Sequence, residues 1–111
     1  MVTDLDLVSA SREHLAFLRA VHLSHLDLYK RGADLDSAVT MYLRVWLPYL
    51  NSRSETEVCS APTLDIAWIW HIHKLDPATY QKDCCRWYGR ILDLPDGMSP
   101  FRYSQKLEMD V

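Results

Sequence analysis

Two histidines in a Trp-His-x-His run, residues 70–73, are the side chains whose type and spacing could best do chemistry in this chain. His71 and His73 are two residues apart, and two steps along an α-helix turn a side chain by about 200°. A regular helix therefore directs the two imidazoles to opposite sides, and both could bind one metal ion only if the helix unwinds near Lys74. The alternative is that both rings are neutral and hydrogen-bonded in the core, where polar networks fix helix packing.

A zinc site could also draw ligands from the first helical segment. His22 and His25 are three residues apart, so they share a helical face and could chelate together. Zinc takes nitrogen and sulfur ligands tetrahedrally, and a mixed set would comprise His22, His25, His71 and Cys84, with His73 as a further candidate. The chain lacks the ligand spacing of zinc motifs, so we expect no cofactor and keep zinc as the alternative.

A cysteine nucleophile is the second chemical interpretation. Cys84 has a candidate base in His71 or His73 and a candidate orienting carboxylate in Asp83 or Asp76. Its expected position in the middle of a helix lacks the N-terminal end that lowers a thiol pKa, and a small buried apolar role is typical of such a cysteine. We assign no catalytic residue. The candidate functional cluster comprises Trp70, His71, His73, Tyr80, Asp83 and Cys84.

Aromatic side chains suggest a third interpretation, a groove that stacks single-stranded RNA or a peptide. The candidates are Tyr42, Trp46, Tyr49, Trp68, Trp70, Tyr80, Trp87 and Tyr88. Aromatic side chains at helical spacing are more typical of a hydrophobic core, and we favour the interpretation that these residues are buried. The net charge of −3 and the absence of a Lys/Arg cluster argue against nucleic-acid binding.

Length and composition indicate one globular domain. The chain has 111 residues, of which 49% are hydrophobic and 24% charged. Its longest apolar run is too short to span a bilayer, and its first residues carry acids without a hydrophobic signal segment, so we expect no membrane association. Three cysteines without a Cys-x-x-Cys unit indicate a reducing compartment, the cytoplasm or alternatively the nucleus.

The elements that must position these residues are four helical segments, with no convincing strand. The first begins near Thr3 and ends at Gly32, with fraying near Ser24 as an alternative end. Its apolar stripe comprises Leu5, Val8, Leu15, Leu18, His22, Leu26 and Tyr29, widened by Phe17, Val21 and Leu28. Asp34 is expected to cap a second helix, which Pro48 kinks or closes near Trp46.

The third and fourth helices follow a polar loop over residues 51–62. Residues 64–75 have no polar face, which predicts a helix buried on every side and capped by Thr63. Asp76 and Pro77 suit the N-cap and first position of the last helix, and Gly89 suits its C-terminal cap. The fold is therefore all-α, a compact bundle of about four helices around a central helix that carries Trp and His. We place this helical domain at residues 1–95 and interpret 96–111 as a C-terminal extension, with a truncated remainder of the same domain as the alternative.

The block from residue 63 to residue 92 resembles the signature of the glycine-rich domain-containing protein family. The matching elements are Leu64-Asp65, Trp70-His71-Ile72-His73, Leu75-Asp76-Pro77-Ala78-Thr79-Tyr80, Asp83-Cys84 and Tyr88-Gly89-Arg90-Ile91-Leu92. Upstream, Leu15 to Val21 and the Tyr42 to Pro48 segment also resemble the family, so the likeness covers roughly residues 5–93.

The resemblance implies a helical domain of uncharacterised biochemistry in proteins linked to growth, development and stress responses. It transfers no catalytic residue. The glycine-rich tail and RNA-binding motif of plant members do not occur in these 111 residues, so their properties are not carried over. We therefore expect a non-catalytic interaction module with a protein partner. The alternatives are a metal-dependent or cysteine-based enzyme, and single-stranded RNA binding through exposed aromatics.

Overall fold

The computed structural model describes residues 7–24, 26–54, 59–94 and 103. That part of the chain contains helices and no β-strand. The helices are α1 (Leu7–Leu23), α2 (Ala33–Met41), α3 (Leu47–Ser52), α4 (Leu64–Lys74) and α5 (Pro77–Tyr88), and a π-helical segment (Tyr42–Trp46) joins α2 to α3. Because α2, the π-helical segment and α3 are continuous, the described residues form four helical rods. The predicted all-α bundle of about four helices is confirmed.

Helix α4 is the central element, as its apolar sequence predicts. It contacts α1, α2, the π-helical segment and α5, and it buries Ile66, Ala67 and Trp70. The expectation that every side of residues 64–75 is buried is nevertheless wrong. Ile72 is 44% exposed and Leu75 is 64% exposed, because the surrounding helices leave one strip of α4 and its C-terminal end open to solvent.

Two hydrophobic clusters lie on different sides of α4. The larger cluster comprises Tyr42, Trp46, Leu47, Leu50, Cys59, Ile66, Trp70, Tyr80, Cys84 and Leu92. The smaller one comprises Phe17, Val21, Leu28, Ala38 and Ala67, with Tyr103 packed against it. Ile69 of α4 packs against both clusters. The central helix α4 therefore contributes to both clusters and connects the helices that pack on its two sides.

Helix α1 ends earlier than its periodicity predicts. The helix stops at Leu23, so the expectation that it continues through Leu26 and Tyr29 to Gly32 is wrong and the alternative end near Ser24 is confirmed. Two contacts favour a non-helical backbone: the Ser24 hydroxyl oxygen accepts a hydrogen bond from the Leu26 N–H at 3.1 Å, and the Trp68 indole donates to the Leu28 carbonyl at 3.1 Å. The second of these comes from α4 and has no local signal in the sequence. The start predicted at Thr3 lies outside the described residues.

The face that α1 turns inward is the edge of its apolar stripe rather than the middle. Phe17 and Val21, each 2% exposed, are its buried residues. Leu15 and Leu23 are 65% and 69% exposed. The helix is thus attached to the core along a narrow line, and much of its apolar surface faces solvent.

Pro48 does not end the second rod near Trp46, so that alternative is wrong. The rod continues as α3 to Ser52. Proline cannot donate to the carbonyl four residues earlier, and its ring crowds that carbonyl. The preceding turn is π-helical, with the Leu47 N–H bonded to the Tyr42 carbonyl five residues earlier, and this wider turn accommodates the proline within a continuous helix.

The predicted caps are right at α5 and partly right at α4. The Asp76 carboxylate accepts a hydrogen bond from the Thr79 N–H at 3.1 Å, Pro77 is the first helical residue, and Gly89 adopts φ 76° at the C-cap. Thr63 holds the N-cap position of α4, but its hydroxyl donates to the Asp65 carboxylate at 2.5 Å instead of accepting from the backbone.

The predicted cap at Asp34 is wrong. Gly32 precedes the first residue of α2, and no side chain caps this helix. The Asp34 carboxylate instead accepts a hydrogen bond from the Asp27 N–H at 2.8 Å, which ties the segment after α1 to the start of α2.

Candidate functional site

A buried hydrogen-bond chain begins at Trp70, on the inner face of α4. The Trp70 indole donates to the Tyr80 hydroxyl oxygen at 3.0 Å, and that hydroxyl donates to the Leu92 carbonyl at 2.6 Å. Trp70 is 1% exposed and Tyr80 is 6% exposed. The chain joins α4 to α5 and fixes the segment that follows α5. Each polar group in it has its partner, as burial requires.

A second chain runs through His73, one helical turn further along α4. The Tyr42 hydroxyl and His73 Nδ1 are 2.7 Å apart, and His73 Nε2 lies 2.8 Å from the Asp83 carboxylate. An ionised carboxylate accepts only, so Nε2 carries the proton. With a neutral ring, Nδ1 then accepts from the tyrosine hydroxyl. We assign this tautomer from the hydrogen-bond pattern, and it joins the π-helical segment, α4 and α5.

Ring contacts connect the two chains. His73 lies edge-to-face with Tyr80, with ring centroids 4.8 Å apart, and with Tyr42 at 5.7 Å. The Trp70 ring contacts Trp46 at 5.2 Å, and the Lys74 ammonium lies 3.8 Å from the Trp70 ring centroid. We call the hydrogen-bonded set of Tyr42, Trp70, His73, Tyr80 and Asp83 the aromatic network.

Burial shifts the ionisation of the two tyrosines in the aromatic network. Desolvation raises the pKa of Tyr42 far above its ordinary range, and the neighbouring Tyr80 and Cys84 add to the effect. Desolvation likewise raises the pKa of Tyr80, against the opposing hydrogen bond from Trp70. Both hydroxyls therefore stay protonated at neutral pH and act as hydrogen-bond donors rather than as bases or nucleophiles.

Cys84 lies in the larger cluster and is 0% exposed. Asp83, one of the two candidate orienting carboxylates, bonds the candidate base His73 as that hypothesis expects, whereas the other, Asp76, caps α5. A nucleophilic thiol must reach a substrate and a base, whereas this sulfur is enclosed by apolar and aromatic side chains. The position therefore suits a small buried apolar residue.

His71 lies on the other side of α4, as its two-residue spacing from His73 predicts. Its ring contacts His14 of α1 at 5.1 Å and Phe17 at 5.5 Å between centroids, and Trp68 at 5.9 Å. Desolvation lowers the pKa of His71, and the positive charge that His14 and Lys74 can carry lowers it further. His71 thus belongs to the contact between α1 and α4, while the rest of the candidate cluster surrounds His73.

The candidate zinc ligands occupy different surroundings. His22 is exposed on α1, with its ring 6.2 Å from that of Tyr29, whereas Cys84 is in the larger cluster. His25 lies outside the described residues. Across the ranges that the structure describes, no three His, Cys, Asp or Glu side chains are grouped to hold a metal ion. The donor set that the sequence suggested is therefore not assembled by the described residues.

The eight aromatic side chains that could have formed a stacking groove are mostly internal. Tyr42, Trp46, Trp70 and Tyr80 are buried, and Tyr49, Trp68 and Tyr88 are half-buried, which leaves Trp87 exposed at 46%. The interpretation of these aromatics as core is confirmed, and that of an exposed groove is wrong.

Sequence reasoning missed two residues of the site. Tyr42 belonged to the aromatic set but not to the candidate cluster, although its hydroxyl bonds His73 across 31 residues of chain. No sequence pattern indicates a role for His14, although its ring contacts that of His71. A buried tyrosine must find a partner for its hydroxyl, and that requirement was the available signal for Tyr42.

Comparisons with known proteins agree with the resemblance. The family model described as "Glycine-rich domain-containing protein-like" matches residues 2–83. Glycine-rich domain-containing proteins 1 and 2 of Arabidopsis thaliana are 42% and 41% identical to the chain over 93 residues, which is 80% of this chain in each case. The aligned stretch spans 11% and 12% of those two proteins. No solved structure matches the chain.

Among the described helices, none is long and apolar enough to cross a membrane. The family match covers most of the chain and includes all of the helices that carry the aromatic network except the end of α5. The chain therefore belongs to the glycine-rich domain-containing protein-like family.

Proposed function

We propose that this chain is a non-catalytic helical interaction module that binds a protein partner. The observation that carries the proposal is that the aromatic network is closed. Trp70, Tyr80 and the Leu92 carbonyl satisfy one another, and both ring nitrogens of His73 are occupied by Tyr42 and Asp83. A network whose donors and acceptors are used internally fixes the packing of helices and offers little to a substrate.

The access to these groups supports the same conclusion. Tyr42 is 2% exposed and Cys84 is 0% exposed, so neither can contact a substrate without opening the core. The side chain of His73 is 15% exposed, and its position between two hydrogen-bond partners occupies the nitrogens that a general base would use. The enzyme alternative therefore has no accessible constellation among the described residues.

The surface supplies the second part of the proposal. Large apolar side chains are exposed on α1, on α5 and in the segments that connect or follow the helices, and the most exposed are Leu7, Val8, Leu15, Leu23, Tyr29, Leu75, Trp87 and Ile91. Exposed apolar groups of this size suit contact with another protein. By family membership we further propose that the partner acts in growth, development or stress responses and that the two meet in the cytoplasm or the nucleus.

Stability measurements on the aromatic network test the non-catalytic role. Replacing residues that serve chemistry often leaves stability unchanged or raises it, whereas replacing residues that hold a fold lowers it. We expect Tyr42→Phe and Asp83→Asn each to reduce the free energy of unfolding by about 1 kcal/mol, because each removes a hydrogen bond to His73 or weakens it. Asp36→Asn, an exposed carboxylate in α2, is the matched control and should have little effect.

The double variant sharpens the test because both changes act through one imidazole. Its loss of unfolding free energy should differ from the sum of the single losses by about 0.5 kcal/mol or more, as for residues in one network. Native mass spectrometry with added zinc completes the experiment. Neutral or stabilising single variants, or one zinc ion per chain that His73→Ala abolishes, would contradict the proposal and favour the metal-dependent enzyme.

A further inference from the structure

The outward face of α1 combines apolar side chains with positive charge. Leu15 and Leu23 are eight residues apart, and Arg12 and Arg19 are seven apart, so all four lie along one side of the helix. All four are exposed. The chain buries Phe17 and Val21 instead, so this side of α1 is a mixed apolar and basic face that the described helices do not cover.

The charge on this face has one sign. Arg12 and Arg19 are exposed there, and the carboxylate that α1 carries, at Glu13, lies about 120° around the helix from Arg19. Neither arginine takes part in the ion pair that the structure shows, between His73 and Asp83. The chain as a whole has a net charge of −3, so the sign of the charge on this face is opposite to that of the whole chain.

The surface is open and shallow, and it follows one helix. Leu15, Ala16, Arg19, His22 and Leu23 lie together on it along the last turns of α1. Because the side chain of Ala16 is small, a partner can approach the backbone of α1 closely between Leu15 and Leu23. We call Arg12, Leu15, Ala16, Arg19, His22 and Leu23 the α1 surface.

We infer that the α1 surface docks an amphipathic helix of a partner protein, one whose apolar stripe is flanked by Asp or Glu. The apolar stripe would cover Leu15 and Leu23, and the flanking carboxylates would pair with Arg12 and Arg19. Helices bind in this manner when apolar residues at three- and four-residue spacing lie in a groove, and complementary charge selects the partner. This inference rests on the proposed function, for which it names the surface and the class of partner.

Two other occupants fit the charges less well. A symmetric contact between two copies would place the arginines of one α1 surface against those of the other, and like charges oppose such pairing. An anionic membrane would attract the arginines, but helices that lie on membranes keep their basic residues on the polar side and insert a broad apolar face with aromatic residues. On the α1 surface the arginines alternate with the leucines, and no aromatic side chain takes part.

Peptide binding to the full chain tests the assignment. The probe is a fluorescent helical peptide of about the length of α1 with a leucine stripe flanked by glutamates, and its control has lysines in place of the glutamates. We expect fluorescence anisotropy to show saturable binding of the acidic peptide, weaker by about tenfold between about 50 mM and about 500 mM salt, and weak binding of the basic one.

Charge reversal on the chain identifies the surface. The double variant Arg12→Glu/Arg19→Glu should lose affinity for the acidic peptide by about tenfold or more and gain affinity for the basic peptide. Arg86→Glu, an exposed arginine of α5, is the matched control and should bind like the parent chain. Leu15→Ala/Leu23→Ala should also weaken the acidic peptide, while circular dichroism confirms that each variant is folded.

Three outcomes would overturn this inference. They are equal binding of both peptides, dimerisation in sedimentation that Leu15→Ala/Leu23→Ala abolishes, and binding to phosphatidylserine vesicles without peptide binding. None of these outcomes involves the aromatic network, so the non-catalytic role would be judged separately by the stability of the Tyr42 and Asp83 variants.

Discussion

Tyr80→Phe and Tyr42→Phe remove the same atom from two tyrosines of one core, yet we expect very different losses of stability. The Tyr80 hydroxyl accepts from Trp70 and donates to Leu92, and both partners are 1% exposed. Its removal leaves one buried donor and one buried acceptor without partners. Each such group costs about 1–3 kcal/mol, so the free energy of unfolding should fall by about 2–6 kcal/mol.

Removal of the Tyr42 hydroxyl leaves a smaller deficit. Its partner is His73 Nδ1, and the His73 side chain is 15% exposed and keeps its bond to Asp83. Water can approach that ring, so we expect Tyr42→Phe to cost about 1 kcal/mol. The difference between the two variants isolates the effect of hydrogen bonding, because the ring volume and the apolar packing are unchanged in both.

Urea unfolding followed by circular dichroism and tryptophan fluorescence measures both values. Tyr29→Phe is the control, since that ring is 58% exposed and should tolerate the change within about 0.5 kcal/mol. A domain of this length has about 5–15 kcal/mol of stability, so a loss of about 2–6 kcal/mol is a large and easily resolved fraction of it. A loss of only about 1 kcal/mol in the Tyr80 variant, equal to that of the Tyr42 variant, would refute the reasoning, because it would show that Trp70 and Leu92 do not depend on the Tyr80 hydroxyl.

Three further predictions concern the tryptophans, the α1 contact and the end of α5. Trp70→Ala should lower the free energy of unfolding by about 3–5 kcal/mol, and Trp87→Ala, at a ring that is 46% exposed, by clearly less in the same urea experiment. Because the pKa of His71 is lowered in the folded chain, the unfolded chain takes up a proton more readily, so the thermal midpoint should fall as pH drops below 6.5, and His71→Gln should flatten this slope. Gly89→Ala should cost about 1 kcal/mol in thermal unfolding, because φ is 76° and no atom lies within 4 Å of the added methyl group, so backbone strain acts alone.

The parts of the fold that depend on adjacent residues could be predicted from the sequence. Asp76, Pro77 and Gly89 set the start and end of α5 through their own backbone and side-chain chemistry, and each has its predicted role. The opposite directions of His71 and His73 follow from helical geometry alone, and the structure shows them. These features need no knowledge of any other helix.

The parts that depend on distant contacts could not be predicted. The Trp68 indole bonds the Leu28 carbonyl 40 residues away and so partly determines where α1 ends. No local sequence pattern predicts that bond. The same holds for the 31-residue separation between Tyr42 and His73. Periodicity shows that a helix has an apolar side, but contacts with the neighbouring helix of the bundle determine which part of that side is buried. For α1 the structure buries the edge at Phe17 and leaves Leu15 exposed.

Because His71 and His73 are two residues apart on α4, they face opposite sides of the helix. The aromatic network, which stabilises the fold, is therefore separate from α1, which carries the proposed binding surface. His73 faces the aromatic network, and His71 faces α1 through His14 and Phe17. Changes in sites without shared partners affect stability nearly additively. A variant of the aromatic network should therefore alter the stability of the whole bundle without changing peptide affinity at the α1 surface while the chain remains folded. Charge reversal at the α1 surface should change affinity without changing the unfolding free energy by more than about 0.5 kcal/mol. If peptide affinity and the free energy of unfolding changed together in both sets of variants, the two sites would not be independent. The helix α4 would then couple the aromatic network to the α1 surface.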